Sequence, residues 1–361
     1  MKPSSSKAPL LAVAALMGAC MVQPPAARVR AAEGIVRGGD ASESARVSVL
    51  LDRLAPRVEA LVPGSDLPTD LEVWVQESPR LYALPGMGVA DAEGLYSSHH
   101  SRILLARDAD DLERTLAHEL AHAALGPDWA RLPGTVEEGL CDLVSERLCP
   151  EGATRLRAGR LCSAALACGG LGLELRLRSE SDARQWVARV TLAGEDQGPD
   201  PQRAVFSIEA GLSSTALTTG SKRGFYGLAY LLVSRAADRV GLEGLHALCS
   251  EAVAAGDERV PAERLLEAAE LGETQEAWRM AAAEALGPDE LRALVRMYPH
   301  FVLDALDSWL EDASIEAGWP EGLVLEVALP GAAAADLSGD AELLDALRDR
   351  RAEGAEAPSQ P

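Results

Sequence analysis

His118-Glu119-Leu120-Ala121-His122 is the stretch on which the reading of this chain turns. On a helix, residues i and i+4 share one face, so both imidazoles can point at a single metal ion, and zinc suits such a pair. Glu119, beside the first histidine, can reach the open coordination position as a general base. The plainer readings are a solvated acidic helix face and an accidental match to a short motif. The chain has only six histidines, so chance should give such a pair in about one chain in a hundred of this composition. That favours the metal.

The flanks put the pentapeptide on a helix. Asp110 to Leu125 has helical spacing, acidic residues in its first turn and Gly126-Pro127 at its end. The apolar run Arg102 to Ala106 predicts a strand just before it, and the alternating Leu71 to Val75 predicts another, with a loop through Pro85-Gly86-Met87-Gly88 between them. Val47, Leu51, Leu54 and Val58 mark an amphipathic helix over Ala45 to Leu61. Pro133-Gly134-Thr135 opens a helix from Val136 to about Leu148 that Pro150 stops; Arg155 to Cys168 predicts the next, stopped by Gly169-Gly170.

A catalytic zinc needs a third protein ligand as well as an open position. Glu137-Glu138-Gly139-Leu140-Cys141-Asp142 lies on the following helix, after a connection long enough to reverse the chain, and one of its glutamates completes a His2Glu set. Asp142 shares a face with Glu138 and is placed to accept the other ring N–H of a ligating histidine. Glu137 points about 100° away and reads as solvated.

HELAH followed by Glu138-Gly139 and then Asp142 resembles the gluzincin zinc metallopeptidases, and its surroundings resemble their peptidase-MA-like members. The resemblance implies that His118, His122 and Glu138 bind zinc, that Glu119 is the general base and that Asp142 supports His118. It covers roughly residues 70 to 255. It implies that Arg102 to Ala106 is the edge strand lining the substrate cleft, and that Tyr226, in Tyr226-Gly227-Leu228-Ala229-Tyr230, opens a helix. Tyr226 is then either a donor to the oxyanion or a core aromatic, and Tyr230 one turn later reads as packed. Thr135 departs from the family, many of whose members carry tryptophan before the Glu-Gly pair; this bears on substrate preference.

At 361 residues, with 47% apolar and 25% charged residues, the chain fits a soluble globular protein of one large or two modest domains. A formal charge of −22 argues against nucleic acid and anionic membrane surfaces as partners. Residues 1–32 read as an export signal, with Lys2 and Lys7 before an apolar run from Ala8 to Val22 that is short for a bilayer. Two processing points compete: after Ala31, and before Cys20 in Leu16-Met17-Gly18-Ala19-Cys20, which resembles a lipobox and would attach the protein to a membrane through a lipidated Cys20. Of the remaining five cysteines, an odd number, Cys149, Cys162 and Cys168 are spaced for a local disulfide. No CxxC pair occurs, so these cysteines read as structural.

The fold expected is α+β and zincin-like: a small N-terminal mixed sheet with the site helices over 33–150, then a mainly helical part. That part comprises 151–285, with a β-rich insertion at about 172–210 (strands at Leu173 to Leu177, Trp186 to Leu192 and Val205 to Ile208), and helical 286–349; the tail 350–361 reads as disordered. His99 and His100, His246 and His300 read as loop or helix histidines without a ligand role, and Lys222-Arg223 as a small basic spot. The expectation is an exported protein, in the periplasm, on the cell envelope or outside the cell, that hydrolyses peptide bonds of peptide or protein substrates with Zn2+. The competing expectation is a non-catalytic scaffold that keeps the fold and binds peptides.

Overall fold

The buried runs Val73 to Gln76 and Ile103 to Ala106, with Val36 beside them, mark strands covered on both faces, and they build the sheet that carries the site. The computed structural model describes residues 27–31, 34–76, 93–179, 185–193, 200–206, 219–302, 304–305, 323–332 and 334–339. The first sheet holds β1 (Ala27–Ala31), β2 (Gly34–Gly38), β3 (Glu72–Gln76), β4 (Gly94–Ser97) and β5 (Arg102–Ala106), in the order β1-β2-β3-β5-β4. β2, β3 and β5 run parallel, and β1 and β4 are antiparallel edges. The strand expected at the cleft edge, Arg102–Ala106, is therefore internal, and the edge is β4, a short segment whose Gly and Ser obscure a strand pattern. The parallel pair β2–β3 is bridged by α1 (Ala41–Leu61), whose Val47, Leu51, Leu54 and Val58 stripe is fully buried.

From β5 the chain enters α2 (Leu112–Ala124), capped by the Asp111 carboxylate, which accepts from the Arg114 amide at 3.0 Å. A 3-10 turn, Pro127–Arg131, leads to α3 (Gly134–Leu148) and then α4 (Pro150–Ala167). Cys149 alone separates these two helices, because Pro150 cannot continue α3 yet suits the first position of α4. After the six-residue α5 (Pro201–Phe206) comes the long α6 (Thr219–Ala255), bent at Gly241. α6 packs on both α3 and α4. Two glycines permit that approach: a Cβ on Gly139 of α3 would lie 2.3 Å from the Ala229 carbonyl oxygen, and one on Gly227 of α6 would lie 2.5 Å from the Arg160 carbonyl oxygen. The Glu138-Gly139 pair thus joins a site residue to a position where another backbone must pass.

The second sheet departs from the sequence expectation. β6 (Leu171–Ser179) and β7 (Gln185–Leu192) form a hairpin, but β6 also pairs with β8 (Leu323–Ala328), which pairs with β9 (Ala335–Asp336), all antiparallel in the order β7-β6-β8-β9. The β-rich segment is therefore half of a sheet completed by the C-terminal region, where helices broken by turns were expected. Helices α7 (Ala262–Ala269), α8 (Gln275–Glu284) and α9 (Pro288–Met297) lie between. Val205, expected in a strand, sits in α5. The result is a mixed α+β fold with two small sheets. Among the described residues no helix is long and apolar enough to cross a membrane. The signal up to residue 26 with Cys20, the Pro85–Gly88 loop, Ile208 and the tail 350–361 lie outside the described residues.

Cys141, Cys149, Cys162, Cys168 and Cys249 are all free and buried. The local disulfide expected among three of them is absent because α4 spaces them out: Cys162 and Cys168 are about 9 Å apart along its axis, beyond the roughly 7 Å Cα limit for a bridge.

Candidate metal centre

Burial of Leu116, Ala117, Leu120 and Ala124 fixes the rotation of α2, so His118 and His122 emerge together toward α3, with ring centroids 5.0 Å apart. Glu138 meets both: its Oε2 lies 3.3 Å from His118 Nε2 and 3.5 Å from His122 Nε2. Ligands about 2.05 Å from a tetrahedral ion are about 3.3 Å apart, so this spacing fits a metal. Among the described residues these three form the one group of His, Cys, Asp or Glu able to hold an ion.

The other ring nitrogens are both engaged. His118 Nδ1 lies 3.1 Å from Asp142 Oδ1, as expected from the sequence. His122 Nδ1 lies 2.7 Å from Glu137 Oε1, so Glu137 is an orienting partner and not simply a solvated residue. Glu137 and Glu138 straddle the line of contact between α2 and α3, and a 100° separation then puts both within reach of the histidines. Two partners on Nδ1 leave both Nε2 atoms free for a metal.

Asp142 is fully buried and receives two hydrogen bonds from Arg160 of α4, at 2.6 and 3.2 Å. Arg160 was not singled out by sequence. Its signal was a charge among the buried Ala158, Leu161, Cys162 and Ala164 of α4, which demands a partner. The Arg160 guanidinium also lies 5.0 Å from the centre of the Tyr226 ring. Tyr226 stands about two turns inside α6 and does not open it as expected. The Glu138 charge, then burial, raises its pKa, so the phenol stays a proton donor. Tyr230 is packed, as expected, and donates to Glu146.

Electrostatics across the cluster are consistent with a cation between the carboxylates. Burial alone would lower the His118 pKa, but hydrogen bonds to Asp142 and Glu138 overcome it and raise it to about 9. His122 is raised well above its usual value, where burial is outweighed by Cys141 and Glu138. Glu138, despite burial, is held well below the carboxylate range by the two imidazoles, and Asp142 is lowered to about 2, chiefly by Arg160 against its burial. The metal-free cluster therefore keeps protons where a metal would supply charge.

Glu119 differs from its neighbours. It is 6% exposed, and burial raises its pKa. Its carboxylate accepts from the Tyr96 backbone amide of β4, and a Cβ on Gly94 would lie 2.6 Å from Glu119 Oε1. The edge strand thus holds Glu119 in place through backbone alone. Sequence patterning offered no signal for this contact.

The remaining histidines stay apart from this cluster. His99 and His100 lie exposed in the 3-10 turn Ser98–His100, His246 packs 5.1 Å from Trp129, and His300 lies beside Tyr298 and Phe301. Comparison with family models, with curated proteins and with solved structures gives no match.

Proposed function

We propose that this chain is a zinc-dependent peptide hydrolase of the gluzincin, peptidase-MA-like kind, acting on peptide or protein substrates. One observation carries the reading: two histidine Nε2 atoms and a Glu138 oxygen converge at metal-ligand spacing, both opposite ring nitrogens are held by carboxylates, and a fourth carboxylate, Glu119, sits buried beside them. A five-stranded sheet with an antiparallel edge next to the histidine helix supports the zincin-like assignment.

His118, His122 and Glu138 would hold the zinc, which supplies Lewis acidity toward a carbonyl and toward water. Glu119 takes a proton from the attacking water on its carboxylate and delivers it to the leaving amine; its raised pKa brings it closer to the working pH of such a base. Tyr226, protonated and steadied by Arg160, donates to the developing oxyanion. The outer side of β4 has no strand partner among the described residues, so an extended substrate can add there. Export, to the periplasm, cell envelope or exterior, is part of the proposal and rests on the sequence of residues 1–32.

Zinc quantification and peptide-library cleavage, run in parallel on wild type and Glu119→Gln, test it. Both proteins should carry about one zinc per chain, and the variant should lose roughly 10²–10⁴-fold in hydrolysis. Cleavage by the variant at the wild-type rate sinks the mechanism, and zinc without turnover in either protein leaves the scaffold reading.

A further inference from the structure

A cleft of about 820 Å³ that shares Arg160 with the support of the candidate metal centre is lined by Arg57, Arg114, Arg155, Arg160 and Arg223 from four different helices. Its lining holds six arginines, one of them tied to Asp142, against the carboxylates of Glu93, Asp110, Asp111, Glu113 and Glu151, so it is close to neutral in a chain that carries −22. Acidic side chains also line the cleft, but much of their charge is already taken: Glu113 pairs with Arg53 at 2.6 Å, and Arg114 faces Asp111 at 3.6 Å and Glu93 at 3.9 Å. Arg57, Arg155 and Arg223 have no ion pair or hydrogen bond among the described residues, against Asp110 and Glu151 as the unpaired carboxylates of the lining.

The cleft connects to the metal centre along three elements. On α2, Arg114 precedes His118 by one turn. On α6, Arg223 precedes Tyr226 by one turn. Glu93, on the rim, directly precedes Gly94, the β4 residue packed on Glu119. Arg160 belongs to both places, since it lines the cleft and holds Asp142 behind His118. A helical turn rises about 5.4 Å and an extended peptide about 3.4 Å per residue. A substrate lying on β4 and running past Gly94 toward Glu93 would meet Arg114 first, one helical turn from His118.

We infer that this cleft is the subsite for a carboxylate carried by the substrate within about three residues of the scissile bond, either the chain-terminal carboxylate or an Asp or Glu side chain. Guanidinium groups match a carboxylate in charge and in planar two-point geometry, and the donors of Arg155 and Arg223 are taken by no described residue. This inference rests on the peptide hydrolase reading and names its substrate class.

The test uses one neutral peptide sequence in three forms: free C-terminal acid, C-terminal amide, and amide with an internal Glu two residues from the cleavage point. Wild type should cleave one or both carboxylate forms about tenfold better than the plain amide, from two exposed charge contacts of the usual strength. In the Arg155→Gln/Arg223→Gln double variant that ratio should fall toward one. The acid form alone marks a terminal carboxylate, and the Glu form marks a side chain. Equal cleavage of all three forms by wild type, or a ratio unchanged in the double variant, overturns the inference and leaves the hydrolase reading standing. If no form is cleaved, the hydrolase reading fails, and calorimetric binding of the three forms to the metal-free protein still decides the cleft: equal affinities overturn it, and a carboxylate preference lost in the double variant upholds it.

Discussion

Raising the pH of the metal-free protein from 6.5 toward 9 should destabilise it, and zinc should reverse the trend. The His118 pKa rises from 6.5 to about 9 in the folded state, because Asp142 and Glu138 hold its protonated form against the cost of burial. A folded-state pKa raised above the unfolded one gives stability that is fully present below 6.5 and lost as pH climbs through about 9. At 1.36 kcal/mol per unit, that shift corresponds to about 3 kcal/mol. His122 is raised as well and adds in the same direction. For a unit of this size the loss corresponds to a fall in Tm of roughly 5–10 °C.

Asp142 and Glu138 are lowered and titrate in acid, and Tyr226 and Tyr230 are raised beyond the usual phenol range. Burial pushes the five described thiols up to about 12, so thiols that ionise in the unfolded chain add to the loss above about pH 8.5. Tryptophan fluorescence during thermal unfolding, at pH 6.5 and 8.0 with a chelator, reads most of the effect before unfolded thiols ionise. With saturating zinc the sign should invert, since the metal binds deprotonated imidazoles and binds them more tightly as pH rises. Equal stability of the metal-free protein at both pH values would refute the account of the cluster as a proton-loaded cation site.

Three further outcomes follow from the same contacts. Asp142→Asn and Glu137→Gln should each weaken zinc binding by about 10- to 100-fold in a chelator competition; Asp142→Asn should also cost stability by removing the fully buried carboxylate that holds the half-buried Arg160, whereas Glu137→Gln, at a side chain 36% exposed, should cost little. Gly94→Ala should lower hydrolysis by roughly 10²-fold with zinc content unchanged, because its methyl group would lie 2.6 Å from Glu119 Oε1 and displace the base. If the chain is exported and cut, mass spectrometry of the mature protein should find its first residue upstream of Ala27, since a cut after Ala31 would remove β1 and its five-residue pairing with β2; a mature start at Ala32 would contradict this.

The central α2–α3 pair was legible because both of its signals are local. Helical period, the Asp111 cap and the Pro150 stop are properties of neighbouring residues, and so is the i,i+4 spacing of His118 and His122. The same spacing placed Asp142 on the face of Glu138, and the gluzincin resemblance tied it to His118. β4 escaped because Gly94, Leu95, Tyr96 and Ser97 have neither length nor alternation to mark them; β5 beside them makes them a strand. The β6–β8 pairing joins residues far apart in sequence, and no short-range pattern can report it. Arg160 lay between these cases. Its place among the buried Ala158, Leu161 and Ala164 signals a partner, but only the packing of α4 on α3 identifies that partner as Asp142.

That packing bears on how the site relates to folding. Along α3, Glu138, Asp142 and Glu146 recur every four residues and so form one stripe. Each meets something different: Glu138 the two Nε2 atoms, Asp142 both His118 and Arg160, Glu146 the Tyr230 hydroxyl and, at 3.8 Å, Arg157. The helices opposite carry matching stripes, with Arg157 and Arg160 on α4 and Tyr226 and Tyr230 on α6. Away from the metal position the carboxylates need less external charge. Glu138 is strongly acidified by imidazolium, Asp142 is lowered to about 2 mainly by an arginine, and Glu146 is raised by burial and tied to a neutral phenol. The candidate metal position is thus the open end of a buried polar seam whose inner members are satisfied by protein groups. A metal that was the organising element of the fold would leave its ligands unsupported when removed. Here Asp142, Arg160 and Glu137 hold the histidines in place by themselves, so chelation should empty the site and leave the helices assembled around it.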